Sequence, residues 1–167
     1  MKPCERLRTV LEKHFPFLTP DGFRVAYESE WGADGCVIGF EGRAVRVKFY
    51  TASDEFLNIL VGEEASPFDR TTGKDGDEGW YFIRGIVAFI DQDLSVGERF
   101  ATKTAEEILR EPDRQASELA QLLATHLDEI VRLFAGGFDG ERRAYEVFSK
   151  AANARTRAAY EAAARRH

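Results

Sequence analysis

The spacing of apolar residues changes twice along this chain, and these changes restrict the fold more than any other feature. Within residues 4–15 apolar side chains recur every three or four positions, which places them on one face of a helix. Within residues 23–31 they alternate with polar ones, which is typical of a strand with one buried face. Within residues 116–134 the helical spacing returns as a wide apolar stripe. An α+β fold is therefore predicted.

The strand pattern continues beyond residue 31. Segments 36–40 and 44–50 flank a short glycine-containing connection suited to a hairpin, and 56–61 is predicted as the fourth strand. Short connections make the four strands an antiparallel meander, whose apolar face needs helical cover. In the third strand the predicted inward side chains are Val45, Val47 and Phe49, and the predicted outward ones are Arg46 and Lys48.

Helices are predicted both before and after the strands in the sequence. The N-terminal helix ends at Pro16. Segment 80–90 is ambiguous, because its β-branched and aromatic residues suit a strand, but its helical spacing behind an Asp77 cap favours a helix. Three to four helices are thus expected to follow the sheet and cover one face.

Three local signals mark the ends of the later helices. Residues 104–107 (TAEE) form a capping box, and Pro112 suits the first turn of the next helix. The double glycine at 136–137 ends the helix of residues 116–134. The last segment, 140–167, is predicted as a helix rich in alanine and arginine.

The length of 167 residues fits one domain. Within this domain we distinguish a helix plus sheet over 1–63, an acidic loop over 64–79 and a helical part over 80–167. The loop is longer than most connections in compact domains, and it carries glycines among acidic residues and threonines.

The sequence predicts a cytoplasmic protein. The longest apolar run, 86–90, is far shorter than the roughly 20 residues that cross a bilayer, and no apolar segment of a secretory signal follows the basic N-terminus. The cysteines, Cys4 and Cys36, are predicted to be reduced thiols, with Cys36 packed in a strand and Cys4 at the surface.

Charge is distributed unevenly. Residues 141–167 contain seven basic and three acidic residues, whereas residues 1–140 contain sixteen basic and twenty-six acidic ones. An acidic body repels the phosphates of nucleic acids and favours a basic protein partner. The basic C-terminal helix is predicted to be solvated or docked on the acidic body, and a homodimer through its Tyr145 and Phe148 face is a further hypothesis.

No catalytic residue, metal ligand or cofactor is predicted. The loop fails as a P-loop, because Phe68 stands where glycine is required, and as an EF-hand, because Trp80 stands where glutamate is required. The histidines, His14, His126 and His167, lack metal-ligand spacing. His14 and His126 are expected to be half-buried and bonded to backbone carbonyls.

A metal-assisted hydrolase is the alternative function. It would use carboxylates of the acidic loop residues 69–78, because like charges held close together raise one pKa and serve acid–base or metal chemistry. The residues of this alternative are Asp69, Asp75, Asp77 and Glu78.

The preferred site is a partner-binding surface around the loop. Aromatic side chains surrounded by acids suit the recognition of a basic protein. The competing interpretation is that the aromatic side chains at 80 and 81 simply pack under the loop. The predicted residues are Glu63, Glu64, Phe68, Asp69, Asp75, Asp77, Glu78, Trp80 and Tyr81.

The order of elements over about residues 7–90 resembles small bacterial immunity proteins of polymorphic toxin systems. The features that carry it are segment 15–18 (FPFL), the strand start at 22–25 (GFRV), the meander, the acidic loop and the segment that begins at Trp80. The resemblance implies a protein without catalytic residues that occludes a toxin's active site, often that of a basic nuclease, with an acidic surface. The basic C-terminal helix has no match in it.

Overall fold

The computed structural model describes residues 1–51, 57–69, 74–101 and 110–166. It confirms the α+β prediction, with an N-terminal helix, an antiparallel sheet and then helices, but the sheet has five strands instead of four. The elements are α1 (Pro3–His14), a 3-10 helix (Pro16–Leu18), β1 (Arg24–Trp31), β2 (Gly35–Gly42), β3 (Val45–Thr51), β4 (Asn58–Glu63), β5 (Trp80–Phe82), α2 (Ile83–Asp91), α3 (Val96–Ala101), α4 (Pro112–Phe134) and α5 (Asp139–Ala164).

The sheet is a meander in which each strand pairs with the next one in the chain, in the order β1-β2-β3-β4-β5. The β2–β3 hairpin turns at Arg43 and Ala44, whose φ angles of 54° and 60° are both left-handed. Positive φ at both central residues is characteristic of the tight hairpin turn whose twist matches the strands. The predicted hairpin is confirmed, but Glu41 and Gly42, which were expected in its connection, belong to strand β2.

Segment 80–90 is divided between two elements, so the prediction of a single helix is wrong at its start. Trp80 pairs with Gly62 and Tyr81 with Val61, which makes residues 80–82 the fifth strand, and helix α2 begins at Ile83. The open edge of β4 supplies hydrogen-bond partners for these residues, and the sequence period alone does not reveal this. The predicted Asp77 cap lies in a 3-10 turn, Asp77–Gly79, before the strand.

One face of the sheet carries the main core. Val45, Val47 and Phe49 point into it, as predicted, and α1, α2 and α4 cover it. Helix α4 begins at Pro112 and contributes its apolar stripe: Leu119, Leu123, Leu127, Ile130 and Phe134. Gly137 follows with a φ of 90°, and this left-handed conformation confirms the prediction that the double glycine ends the helix. The predicted capping box at 104–107 lies outside the described residues.

Strand β1 corrects one prediction. It was expected to bury one face, but its residues are mostly exposed, and Val25 is 56% exposed. The reason is its position at the edge of the sheet, where it pairs with β2 on one side.

The prediction of reduced thiols is also wrong, because Cys4 and Cys36 form a disulfide with Cα atoms 5.2 Å apart. Cys4, Leu7 and Leu11 share the buried face of α1, so Cys4 lies in the core and not at the surface. This face packs on β2, where Cys36 points into the main core.

Helix α5 packs along α2 and α3. Tyr145 is buried and Phe148 packs on Phe89 with ring centroids 5.7 Å apart, so this face is occupied within the chain. Arg155 forms an ion pair with Glu98 of α3, as expected for a basic helix docked on an acidic body. Within the described ranges, no helix combines the length and apolarity that a membrane crossing requires.

Candidate functional site

The acidic loop folds back over the second face of the sheet, opposite the helices. Its two described arms, residues 63–69 and 74–80, are joined by hydrogen bonds. The indole N–H of Trp80 donates to the carbonyl of Pro67 at 2.8 Å, and the hydroxyl of Ser66 donates to the carbonyl of Gly79 at 3.1 Å. The two described arms of the loop are therefore held against each other by these hydrogen bonds.

A small second core lies beneath these arms. Leu60, Phe68 and Trp80 are buried there, and Tyr27 of β1 stacks on the Phe68 ring at 5.7 Å. The Phe68 ring lies directly over Gly39, where any Cβ atom would collide with it. A glycine in the middle of β2 is thus explained by the close approach of an aromatic ring.

Two basic side chains of β3 complete this second core. The Lys48 ammonium lies 4.3 Å from the centre of the Trp80 ring, and the Arg46 guanidinium lies 4.5 Å from that of Phe68. Lys48 was predicted to point out, and it does leave the main core, but it is only 3% exposed because the loop covers it. Burial lowers the pKa of Lys48 to about 8, and the nearby Asp69 carboxylate opposes this shift.

The structure separates the nine predicted partner-binding residues by exposure. Four carboxylates lie at the surface of the loop: Glu64, Asp69, Asp77 and Glu78. The aromatic residues do not, since Phe68, Trp80 and Tyr81 are buried. Glu63 is half-buried and accepts a hydrogen bond of 2.6 Å from the backbone N–H of Phe138 at the start of α5.

Tyr81 belongs to an aromatic cluster in the main core. Its ring meets Phe138 at 4.6 Å and Tyr145 at 5.1 Å in edge-to-face geometry. The competing interpretation of the sequence, in which the aromatic side chains pack and do not contact a partner, therefore describes the positions of Trp80 and Tyr81.

Asp75 differs from the other loop acids because its carboxylate points inward. One oxygen accepts from the backbone N–H of Phe82 at 2.9 Å, and the other accepts from the Tyr145 hydroxyl at 2.5 Å. Burial raises the pKa of Asp75, and these hydrogen bonds oppose the rise. The pKa of Tyr145 is raised in turn, first by burial and then by the adjacent carboxylate. The Tyr145 hydroxyl can approach helix α2 this closely because the residue beside it, Gly85, has no side chain.

Two neighbouring cavities meet at this pair. The smaller, of about 220 Å³, lies between α2, α3 and α5, and the larger, of about 530 Å³, lies between the 74–77 turn and α5. Both are lined by the same four polar residues: Asp75, Tyr145, Ser149 and Asn153. Two of these residues are bonded to each other, since the Asn153 amide donates to the Ser149 hydroxyl at 3.4 Å.

The carboxylates of the hydrolase alternative do not converge. Asp75 points inward, whereas Asp69, Asp77 and Glu78 lie at the surface. Over the described ranges, no three histidine, cysteine or acidic side chains are grouped so that they could hold a metal ion. The alternative remains a prediction without a geometric group to support it.

The histidines take part in links between helices. His126 lies 2.9 Å from the carbonyl of Leu122, as predicted for a half-buried histidine, and its other nitrogen lies 2.9 Å from Asp91. His14 is bonded to the Asp113 carboxylate at 3.1 Å instead of a backbone carbonyl. His167 lies outside the described residues.

The sequence patterns do not mark Lys48, Arg84 and Tyr145 as members of polar sites. Burial lowers the pKa of Arg84, which lines the smaller cavity. One usable signal was present: Gly85 interrupts an otherwise apolar helical segment, and a glycine inside a helix often marks a close approach.

Comparison with protein-family models, curated proteins and solved structures gives no match for this chain.

Proposed function

We propose that this protein is a non-enzymatic binding domain that engages a basic protein partner through the acidic surface of residues 63–79. The observation that carries the proposal is the combination of four exposed carboxylates with a loop whose two arms are bonded to each other. These carboxylates are Glu64, Asp69, Asp77 and Glu78. We refer to them as the acidic surface.

The charge of this segment favours a basic partner. Residues 63–79 contain six acidic and two basic residues. Because two of the acids, Glu63 and Asp75, are directed into the protein, four acids remain at the surface, beside the exposed Lys74. Such a concentration of charge attracts an oppositely charged protein and speeds its association at low ionic strength.

The hydrogen bonds of the loop favour binding by a different route. A flexible loop loses conformational entropy when it binds, and this loss weakens the complex. Here the Trp80–Pro67 and Ser66–Gly79 hydrogen bonds, together with the buried Phe68 ring, already hold both arms. The buried aromatic residues thus support the acidic surface from below without touching the partner.

Inhibition of a toxin, as the resemblance to immunity proteins implies, is the most specific form of this proposal. A toxin gene beside the gene for this chain would favour it.

A cytoplasmic location remains a prediction. The Cys4–Cys36 disulfide argues against it, because disulfides persist mainly in oxidising compartments.

The test compares two variants of equal charge in partner capture from extracts of the native host. The first neutralises the acidic surface (Glu64→Gln, Asp69→Asn, Asp77→Asn, Glu78→Gln). The control neutralises four other exposed acids (Glu12→Gln, Asp21→Asn, Glu141→Gln, Glu161→Gln). Both variants change the net charge from −6 to −2.

We expect a basic partner to be captured by the unmodified protein and by the control, and to be lost from the acidic-surface variant and in high salt. A partner that is retained equally by both variants, or unchanged in high salt, contradicts the proposal, because charge-steered contacts weaken with ionic strength.

A further inference from the structure

The smaller cavity combines an apolar wall with one half-buried carboxylate, that of Asp75. Its walls include Phe82 and Ala88 from one side and Phe148 and Ala152 from α5. Asp75 also lines the larger cavity, so it borders both spaces. A groove of this kind can hold an alkyl chain that ends in a polar group.

Among the residues that the structure describes, the charge of Asp75 has no cationic partner. Both of its hydrogen bonds come from neutral donors, the Tyr145 hydroxyl and the backbone N–H of Phe82. None of the lysines and arginines in the described ranges forms an ion pair with it. A half-buried carboxylate without a counter-charge is destabilised by partial desolvation, so an incoming cation gains more here than at an exposed acid.

Other charges near the cavity are already opposed by acids. Arg84 lines the same cavity, and burial lowers its pKa, whereas the electrostatic effects of Tyr160 and Glu118 oppose this shift. In the larger cavity, Arg142 is paired with Asp139 at 2.7 Å. The remaining charged groups there are Lys74, Lys150, Asp77 and Glu146, two of each sign.

We propose that this groove receives a lysine or arginine side chain of the basic partner, with its alkyl portion along the apolar wall and its cationic group at the Asp75 carboxylate. The inference rests on the proposed function and adds an anchor position to it. The acidic surface would attract the partner, and the groove would hold one of its side chains.

The binding test uses two synthetic peptides and the full chain labelled with ¹⁵N. The first peptide is acetyl-Gly-Gly-Arg-Gly-Gly-amide, and the second replaces the arginine with citrulline, which has nearly the same shape but no charge. We expect the arginine peptide to shift the amide resonances of Asp75, Tyr145 and Ala152. The citrulline peptide should bind about tenfold more weakly, because a charge-assisted hydrogen bond becomes a neutral one.

Two pairs of variants separate the groove from general charge. Asp75→Asn should reduce the affinity for the arginine peptide about tenfold, whereas Asp77→Asn, an exposed acid of the same turn, should change it less than about twofold. Ala152→Leu fills the groove and should abolish the shifts, whereas Ala151→Leu, exposed on the same helix, should not. If Asp75→Asn fails to fold, the comparison of Ala152→Leu with its control Ala151→Leu still tests whether the groove binds the arginine side chain.

Equal binding of the two peptides, or unchanged binding by Asp75→Asn and Ala152→Leu, would overturn the inference. So would binding of the free amine agmatine about a hundredfold more tightly than the peptide, since the groove would then be a small-molecule site. In partner capture, loss from the acidic-surface variant with full retention by Asp75→Asn and Ala152→Leu refutes the anchor alone. Retention by the acidic-surface variant refutes the proposed function itself.

Discussion

The two faces of the sheet are closed in different ways. Three helices cover the first face, and their apolar side chains form one continuous core with β2, β3 and β4. A loop covers the second face, where two aromatic rings, Phe68 and Trp80, lie over two basic side chains, Lys48 and Arg46. The first face supplies most of the buried apolar area and therefore most of the stability. The second face supplies less, but it determines the shape of the acidic surface.

The comparison predicts that damage to the first face unfolds the whole protein. Phe49 is fully buried between the sheet and α1, in contact with the rings of Phe15 and Phe40. Phe49→Ala should lower the free energy of unfolding by about 3–5 kcal/mol, through lost burial and an unfilled cavity. Denaturant unfolding measures this change. Val25→Ala, at the exposed edge strand, is the control and should change it by less than about 0.5 kcal/mol.

The disulfide reinforces the first face only. It joins residues 32 positions apart and attaches α1 to β2. Its removal in Cys4→Ser, Cys36→Ser should lower the free energy of unfolding by about 2–4 kcal/mol, because the unfolded chain gains freedom. Thermal unfolding with and without reductant measures the effect. If reductant leaves the unmodified protein's transition unchanged and mass spectrometry finds two free thiols, the disulfide is absent.

Damage to the second face should stay local. Phe68→Ala removes the ring between Tyr27 and Trp80, and we expect a loss of about 2 kcal/mol, because this site is closer to solvent than the main core. Limited proteolysis should then reveal new cleavage within residues 63–80 and none in α4. Cleavage throughout the chain, as expected for Phe49→Ala, would show that the two faces unfold together.

Gly85 and Tyr145 provide a sharper test of how α5 meets α2. A methyl group at Gly85 would collide with the Tyr145 hydroxyl, so Gly85→Ala should destabilise the protein by about 1–3 kcal/mol. Tyr145→Phe should cost about 1–2 kcal/mol, because Asp75 loses a donor. In the Tyr145→Phe background the collision disappears, and Gly85→Ala should stabilise α2 by about 0.5–1 kcal/mol. Additive effects in this double-mutant cycle would disprove the contact.

The buried lysine makes the stability of the second face depend on pH. The pKa of Lys48 falls from an ordinary value of 10.5 to about 8 in the folded protein. Between these values the unfolded chain holds more protons than the folded one, so the free energy of unfolding should rise as pH increases through this window. Lys48→Met should reduce this rise by on the order of 1 kcal/mol. Parallel pH profiles for the two proteins would indicate that Lys48 is hydrated in the folded state.

Much of the first face is predictable because helices and strands with one apolar side have simple periods. The stripe of α4, the inward residues of β3 and the glycine stop after Phe134 all follow from local patterns. The division of residues 80–90 does not, because its fifth strand exists only through pairing with β4. The disulfide and the burial of Lys48 depend on distant segments that sequence spacing does not connect.

The candidate site divides in the same way. The sequence by itself determined that the 63–79 segment is acidic, that aromatic residues border it and that the chain alternates between helix and strand in an α+β order. Only the tertiary structure decided which acids reach the surface, that Asp75 turns inward to Tyr145 and that Trp80 supports the loop from below. The physical reason is that periodicity reports which faces are apolar, whereas the direction of a single side chain in a loop depends on the groups that happen to lie across from it.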